Sequence, residues 1–108
     1  MKHINKIKSK SRKGDFAEYY AVTWLWDKGY EVFQNSGCSG PVDMIAIDKK
    51  GNHLFIDVKT AGTDIYNSKP RSKHPLNAKQ RKLNVKLLLF NPDTRELRFV
   101  EQKKWKRN

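Results

Sequence analysis

The sequence predicts a single α/β domain built around a β-sheet. The first observation is a helical apolar period near the N-terminus, over Asp15 to Lys28. The second is a series of short apolar or alternating runs separated by turn residues, which is typical of strands. The third is the length of 108 residues, which suits one small domain with one core.

The segment from Asp15 to Lys28 is predicted to form the first helix. Asp15 suits the helix start as a cap or a first-turn acid, and Gly29 suits the helix end. Glu18 falls at the edge of the apolar face, where it either reaches a site on the sheet or faces solvent. The predicted core face consists of Phe16, Ala17, Tyr20, Ala21, Trp24 and Leu25, whereas Tyr19 and Trp26 lie on the opposite side.

Five strands and a second, short helix are predicted after the first helix. A turn at 49–52 joins the second and third strands into a hairpin, and a turn at 91–94 joins the last two strands. Asn77 is predicted to cap the short helix, which runs from Ala78 to about Asn84. The predicted strands are Tyr30–Gln34, Val42–Asp48, Leu54–Thr60, Lys86–Phe90 and Glu96–Glu101.

The second and third strands carry charged residues where a core would be apolar. Asp43 stands near the start of the second strand, and Asp57 and Lys59 share one face of the third, because strand side chains alternate. Together with Glu18, these aspartates supply hard oxygen ligands that suit Mg²⁺ or Mn²⁺. The sequence has no CxxC or HxxxH spacing, so a zinc site is not expected. The alternative is that Asp57 and Lys59 form only an ion pair on the strand.

The formal net charge of +12 predicts a polyanionic partner, although a merely soluble basic protein is the alternative. Residues 1–13 predict a basic flexible arm and residues 103–108 a basic tail, on either side of a domain over 14–102. Small residues in the loop 35–41 would let a phosphate approach the backbone closely. The residues expected to contact nucleic acid are Lys10, Arg12, Lys13, Ser39, Lys69, Arg71, Lys73, Lys79, Arg81 and Lys82.

Membrane and secreted classes are not expected. No apolar run reaches the length of a membrane span, and the basic N-terminus lacks the apolar segment of a secretion signal. The single cysteine, Cys38, excludes an internal disulfide and fits a reducing compartment. A cytoplasmic location is therefore expected, in the host cytoplasm if the source is viral.

The combination of motifs resembles the PD-(D/E)xK nuclease superfamily. The resemblance runs from about Gly14 to Gln80, and the order of elements fits the superfamily's αβββαβ core through about Phe90. It rests on Gly-Pro-Val-Asp at 40–43, where one residue separates proline from aspartate, and on Asp-Val-Lys at 57–59, where the acid is aspartate. A G-x-x-A-E match at Gly14, Ala17 and Glu18 is similar to archaeal and phage Holliday junction resolvases.

The resemblance implies a restriction-endonuclease-like fold, with a central mixed sheet flanked by helices, and a role for each matching residue. Asp43 and Asp57 would be metal ligands, with the Val58 carbonyl as a further ligand. Glu18 would be an acidic ligand, either direct or through water. Lys59 would be the catalytic lysine.

The resemblance also implies a Mg²⁺-dependent DNA endonuclease in which Mn²⁺ can substitute and Gln80 orients water or phosphate. It would be selective for Holliday junctions or other branched DNA, and a homodimer, because one active site per chain cuts one strand. A sequence-specific homing or restriction-type endonuclease is an alternative. A non-catalytic DNA-binding module on the same fold and an RNA-directed nuclease are further alternatives.

Overall fold

The computed structural model describes residues 10–37, 39–61 and 76–101. The predicted order of one helix, three strands, a short helix and two strands is confirmed. None of the helices in these ranges is long and apolar enough to cross a membrane. The elements are α1 (Lys10–Asp27), β1 (Glu31–Gln34), β2 (Met44–Ile47), β3 (His53–Thr60), α2 (Ala78–Lys82), β4 (Lys86–Phe90) and β5 (Leu97–Val100).

The five strands form one mixed sheet in which the spatial order follows the chain order. Strands β1, β2 and β3 form an antiparallel meander, and β5 is antiparallel to β4. Strands β3 and β4 are parallel, so the connection that contains α2 must return the chain to the starting end of the sheet. The predicted central mixed sheet flanked by helices is therefore confirmed.

Helix α1 packs on one face of the sheet, mainly against β3 and β1. Ala17, Ala21 and Leu25 are almost fully buried there, and the two alanines let the helix backbone approach the strands closely. Tyr20 belongs to the predicted core face but is 38% exposed, because its ring lies at the helix edge, 5.1 Å from the Phe90 ring. The core on this face consists of Ala17, Ala21, Val22, Leu25, Met44, Ala46, Ile56, Leu88, Phe90 and Leu97.

Helix α1 begins at Lys10, earlier than the predicted start at Asp15, so the end of the segment predicted as a flexible arm is helical. Gly14 does not stop the helix, although a mid-helix glycine costs about 1 kcal/mol relative to alanine. The Phe16 ring stabilises this end, since it stacks on Tyr20 and lies 4.9 Å below the Arg95 guanidinium. The rest of the predicted arm and the predicted tail at 103–108 lie outside the described residues.

A smaller apolar cluster lies on the opposite face of the sheet, beside α2. Leu76, Val85 and Leu87 are buried in it, and Phe55 packs against them. Leu88 and Phe90 belong to the cluster on the α1 face, so β4 is buried on both of its faces. Strand β4 is therefore the most buried element of the sheet.

Candidate active site

Asp43 lies just before β2 and is held from both sides through its main chain. Its N–H donates to the Ile56 carbonyl (2.9 Å), and its carbonyl accepts from the Asn35 N–H (2.9 Å). The β2–β3 ladder reaches its last residue pair at Met44 and Ile56. Beyond that pair the Asp43 carboxylate takes the place of a main-chain acceptor, since its Oδ2 accepts from the Val58 N–H at 2.7 Å.

Asp57 and Lys59 share one face of β3, as the strand alternation predicted. Asp57 is only 7% exposed, and its Oδ2 lies 3.2 Å from Lys59 Nζ. That contact lacks hydrogen-bond geometry, so Asp57 Oδ2 is a buried acceptor without a hydrogen bond from any described residue. Asp57 and Lys59 therefore form the ion pair that the sequence allowed, and the acceptor capacity of Asp57 Oδ2 that no hydrogen bond uses is suited to a cation. The Lys59 side chain is 40% exposed, so its ammonium group also reaches solvent.

Two acidic side chains of the site, Asp43 and Glu18, have a raised pKa. Burial raises the pKa of Asp43, and the neighbouring Asp57 raises it further, while the Val58 N–H and the Lys59 charge act in the opposite direction. Burial raises the pKa of Glu18 to about 7, with further contributions from Asp43, Asp15 and Asp57. Glu18 therefore lies within electrostatic range of both aspartates. Crowded carboxylates of this kind favour either a proton or a cation.

The donor set fits a magnesium ion that keeps part of its water shell. Within 10–37, 39–61 and 76–101, no group of three or more acidic, histidine or cysteine side chains converges closely enough to hold a metal ion. Asp43 and Asp57 supply two carboxylates, and Mg²⁺ is commonly held by one or two carboxylates together with waters and substrate phosphates. Glu18 lies near this pair without completing a three-ligand group. The ligand role of the Val58 carbonyl stays a prediction.

Gln80 is buried on α2 and is bonded to protein rather than directed at a ligand. Its Oε1 accepts from the Asn77 N–H (2.9 Å), and its Nε2 donates to the Pro41 carbonyl (3.0 Å). The Asn77 side chain accepts from the Gln80 N–H in return, so the two residues form a capping box and the predicted cap is confirmed. Both ends of its amide have a protein partner, and its role in orienting water or phosphate stays a prediction.

Asn35 belongs to the surroundings of the site, although its residue type gave it no predicted role. Its Nδ2 donates to the carbonyls of Ser39 (2.6 Å) and Val42 (3.0 Å), and its Oδ1 accepts from the Gly37 N–H (2.9 Å). The available sequence signal was the Asn-Ser-Gly turn, in which asparagine commonly bonds the backbone two residues on.

The predicted nucleic-acid contacts that the structure describes form two groups, on α1 and α2, apart from Ser39, which lies between β1 and β2. Helix α1 carries one group on its first turns, and the same helix carries Glu18. Helix α2 carries the other group, and Gln80 ties this helix to the chain before Asp43. The described members are Lys10, Arg12, Lys13, Ser39, Lys79, Arg81 and Lys82, while Lys69, Arg71 and Lys73 lie outside the described residues.

The fold is similar to that of a solved nuclease structure. A bacterial homing endonuclease superposes with a TM-score of 0.62 and 16% sequence identity, over 93% of this chain and 84% of that chain. No family model matches the sequence, and no curated protein matches it. At this identity the likeness establishes a shared nuclease-like α/β fold.

Proposed function

We propose that the protein is a metal-dependent DNA endonuclease of the PD-(D/E)xK type that hydrolyses phosphodiester bonds. The observation that carries the proposal is the arrangement at the end of the β2–β3 hairpin. There the buried Asp57 has a carboxylate oxygen without a hydrogen bond, beside Asp43 and below the solvent-reaching Lys59. The fold shared with a homing endonuclease supports the proposal, and so does the net charge of +12.

Asp43 and Asp57 would hold Mg²⁺, or Mn²⁺ in its place. When bound, the ion supplies an activated water and neutralises charge on the phosphate. The Val58 N–H holds the Asp43 carboxylate against β3, where Asp57 is its neighbour. Burial raises the pKa of Asp43 and the charge of Asp57 raises it further, so both aspartates would be more easily ionised with a cation bound between them.

Lys59 and Glu18 act on the reacting water and the phosphate. The Lys59 ammonium is partly exposed and anchored beside Asp57, so it donates to a phosphate oxygen or to the attacking water as negative charge develops. The Glu18 pKa of about 7 leaves both protonation states populated near neutral pH, which suits transfer of a proton from water.

The substrate is either branched DNA or a specific duplex site, and each alternative has its own support. The G-x-x-A-E match favours a structure-selective enzyme of the Holliday junction resolvase kind. The scarcity of residues suited to reading base edges also favours recognition of DNA shape. The fold shared with a homing endonuclease over 93% of the chain favours a sequence-specific enzyme. Both alternatives require two active sites for paired cuts, so we propose that the protein acts as a homodimer.

Cleavage of matched labelled substrates tests the proposal. The substrates are a four-way junction, a flap, a linear duplex, single-stranded DNA and RNA, each incubated with Mg²⁺ and with EDTA, alongside Asp57→Ala as the inactive control. A plasmid library with random inserts, sequenced at the cut ends, tests for a specific duplex site.

Each outcome selects one reading. Paired Mg²⁺-dependent nicks in the junction alone would establish a resolvase, and fixed cut sites in the library would establish a sequence-specific endonuclease. Cleavage of RNA alone would replace the DNA substrate. Tight DNA binding without cleavage in Mg²⁺ or Mn²⁺, or full activity of Asp57→Ala, would overturn the catalytic proposal.

A further inference from the structure

The chain that leads into Asp43 is held by two side-chain amides that come from different elements. Asn35 follows β1 and Gln80 lies on α2. Between them they bond the carbonyls of Ser39, Pro41 and Val42, which are the acceptors immediately before Asp43. Neither side chain contacts Asp43 itself through these bonds, so any effect on that carboxylate passes through the main chain.

Asn35 fixes the loop from within. Its Nδ2 holds two carbonyls at once, and its Oδ1 closes the turn at Gly37. Its own N–H donates to the Asp43 carbonyl. The residue therefore bonds the end of β1 to Gly37, Ser39 and Val42 and to the main chain of Asp43.

Gln80 fixes the same loop from the other side. It is only 6% exposed, and the two ends of its amide bond different parts of the chain. The oxygen completes the capping box with Asn77, and the nitrogen reaches the Pro41 carbonyl across 39 residues of sequence. The bond to Asn77 stabilises the start of α2, whereas the bond to Pro41 holds the chain that leads to Asp43.

We propose that Asn35 and Gln80 are positioning residues that set the Asp43 carboxylate for metal binding by holding the main chain before it. The inference rests on the proposed function, because it assigns Asp43 as a metal ligand. Groups that orient metal ligands typically change metal affinity or activity about 10- to 100-fold when they are removed. A displacement of about 1 Å at a reacting group has an effect of similar size.

Two substitutions in the capping box separate positioning from simple stabilisation. Gln80→Glu keeps the oxygen that accepts from Asn77, and glutamate is as suitable as glutamine in a capping box, but it removes the donor to Pro41. Asn77→Ala has the opposite effect, because it removes the acceptor for the Gln80 N–H and leaves the bond to Pro41 in place. The first variant is expected to change metal affinity and the second to change stability.

A second pair of variants tests Asn35. Asn35→Asp keeps the acceptor for the Gly37 N–H and loses the donor to Ser39 and Val42. The matched control is Asn52→Ala in the turn between β2 and β3, where the lost donor bonds Asp48 at the far end of the hairpin. Both changes remove side-chain donors in a turn. The first removes an exposed and a part-buried bond next to Asp43, and the second removes one exposed bond far from it.

The measurements are Mn²⁺ binding by titration calorimetry at pH 8, the Mg²⁺ concentration for half-maximal cleavage, DNA binding and the thermal unfolding midpoint. We expect Gln80→Glu and Asn35→Asp to weaken Mn²⁺ binding and raise the Mg²⁺ requirement about 10- to 100-fold, with DNA binding within about threefold of wild type. Asn77→Ala and Asn52→Ala should titrate with Mn²⁺ as wild type does. If either Gln80→Glu or Asn35→Asp does not fold, the other one tests the positioning role. If either Asn77→Ala or Asn52→Ala does not fold, the other one serves as the control.

Failure of the inference is distinct from failure of the proposed function. If the wild type binds Mn²⁺ and cleaves, while Gln80→Glu and Asn35→Asp titrate as it does, the positioning role is overturned and the proposed function stands. An equal loss of metal binding in Asn77→Ala would also overturn it, since capping alone would then explain the effect. If the wild type neither binds Mn²⁺ nor cleaves any substrate, both proposals fall.

Discussion

Strands β3 and β4 lie side by side and parallel, and they differ sharply in what they bury. Asp57 pairs in register with Leu87, and Lys59 pairs with Leu89. Every residue of β4 after Lys86 is buried and apolar, whereas β3 buries a carboxylate at the same level of the sheet. The apolar strand contributes the burial that stabilises the sheet. Its neighbour carries charged groups that reduce stability, and we propose that these groups provide the chemistry.

Asp57→Asn should have the largest effect, and it should act on cleavage rather than on stability. We expect cleavage to fall by at least about a thousandfold, which corresponds to about 4 kcal/mol of transition-state stabilisation, because a metal-binding charge is lost. Single-turnover cleavage with excess protein measures this loss. Thermal unfolding in EDTA should show an unchanged or higher midpoint, because the change removes a buried charge. Asp48→Asn, at an exposed turn, is the control and should cleave as wild type does.

Leu88→Ala should have the opposite effect to Asp57→Asn, because it should lower stability and leave cleavage nearly unchanged. Leu88 is fully buried at the centre of β4, so truncation should lower the free energy of unfolding by about 2–5 kcal/mol. Urea denaturation measures the change, with Leu83→Ala, at a position 39% exposed, as the milder control. Cleavage per folded molecule, measured well below the unfolding midpoint, should stay near the wild-type value. A stable Leu88→Ala protein with lost cleavage would contradict the division between the two strands.

Lys59→Met should slow cleavage by about a hundredfold and leave DNA binding within a few fold of wild type. The ammonium is expected to act on charge that develops during the reaction, so its loss should appear in the single-turnover rate and not in the affinity. Lys86→Met, at the exposed start of β4, removes the same charge from the neighbouring strand. Equal losses in the two variants would show that Lys59 contributes only general charge.

Glu18→Gln should have the smallest effect, and it depends on pH. The pKa of Glu18 is raised from its ordinary value of 4.5 to about 7, so between these pH values the folded protein holds a proton that the unfolded chain has released. The glutamate therefore penalises the folded state increasingly as pH rises through this range, and glutamine removes the penalty. In EDTA, we expect the variant to unfold at the wild-type temperature below about pH 4.5 and less than about 5 °C higher at pH 8.

Thermal scans at several pH values measure this difference, with the exposed Glu31→Gln as the control. A constant difference across the pH range would show that burial and the neighbouring carboxylates do not raise the pKa of Glu18.

The order of elements and the centre of the site could be predicted because both follow from local rules. Alternation along one strand places Asp57 and Lys59 on the same face, and a tight hairpin brings Asp43 beside them. The start of α1 could not be predicted, since residues 10–14 are basic or small and continue no apolar helical period.

The role of Gln80 also depended on tertiary structure. A glutamine on a basic helix gives no signal that its amide will meet the Pro41 carbonyl, because that contact depends on how α2 docks. The distance of Glu18 from the aspartates likewise depends on how α1 crosses the sheet, and its raised pKa follows from that docking.

The parallel pairing of β3 with β4 also bears on how the chain folds. The meander β1–β2–β3 and the hairpin β4–β5 each join neighbouring segments, so each can form early at little cost in loop entropy. Among the described strands, only the β3–β4 pair joins segments that are far apart in sequence, and it must wait for the longer connection to close. Both aspartates belong to the first unit, and the most buried strand belongs to the second. Docking of these two units is therefore the expected rate-limiting step of folding, and a buried carboxylate on β3 slows the last event that excludes water from the sheet.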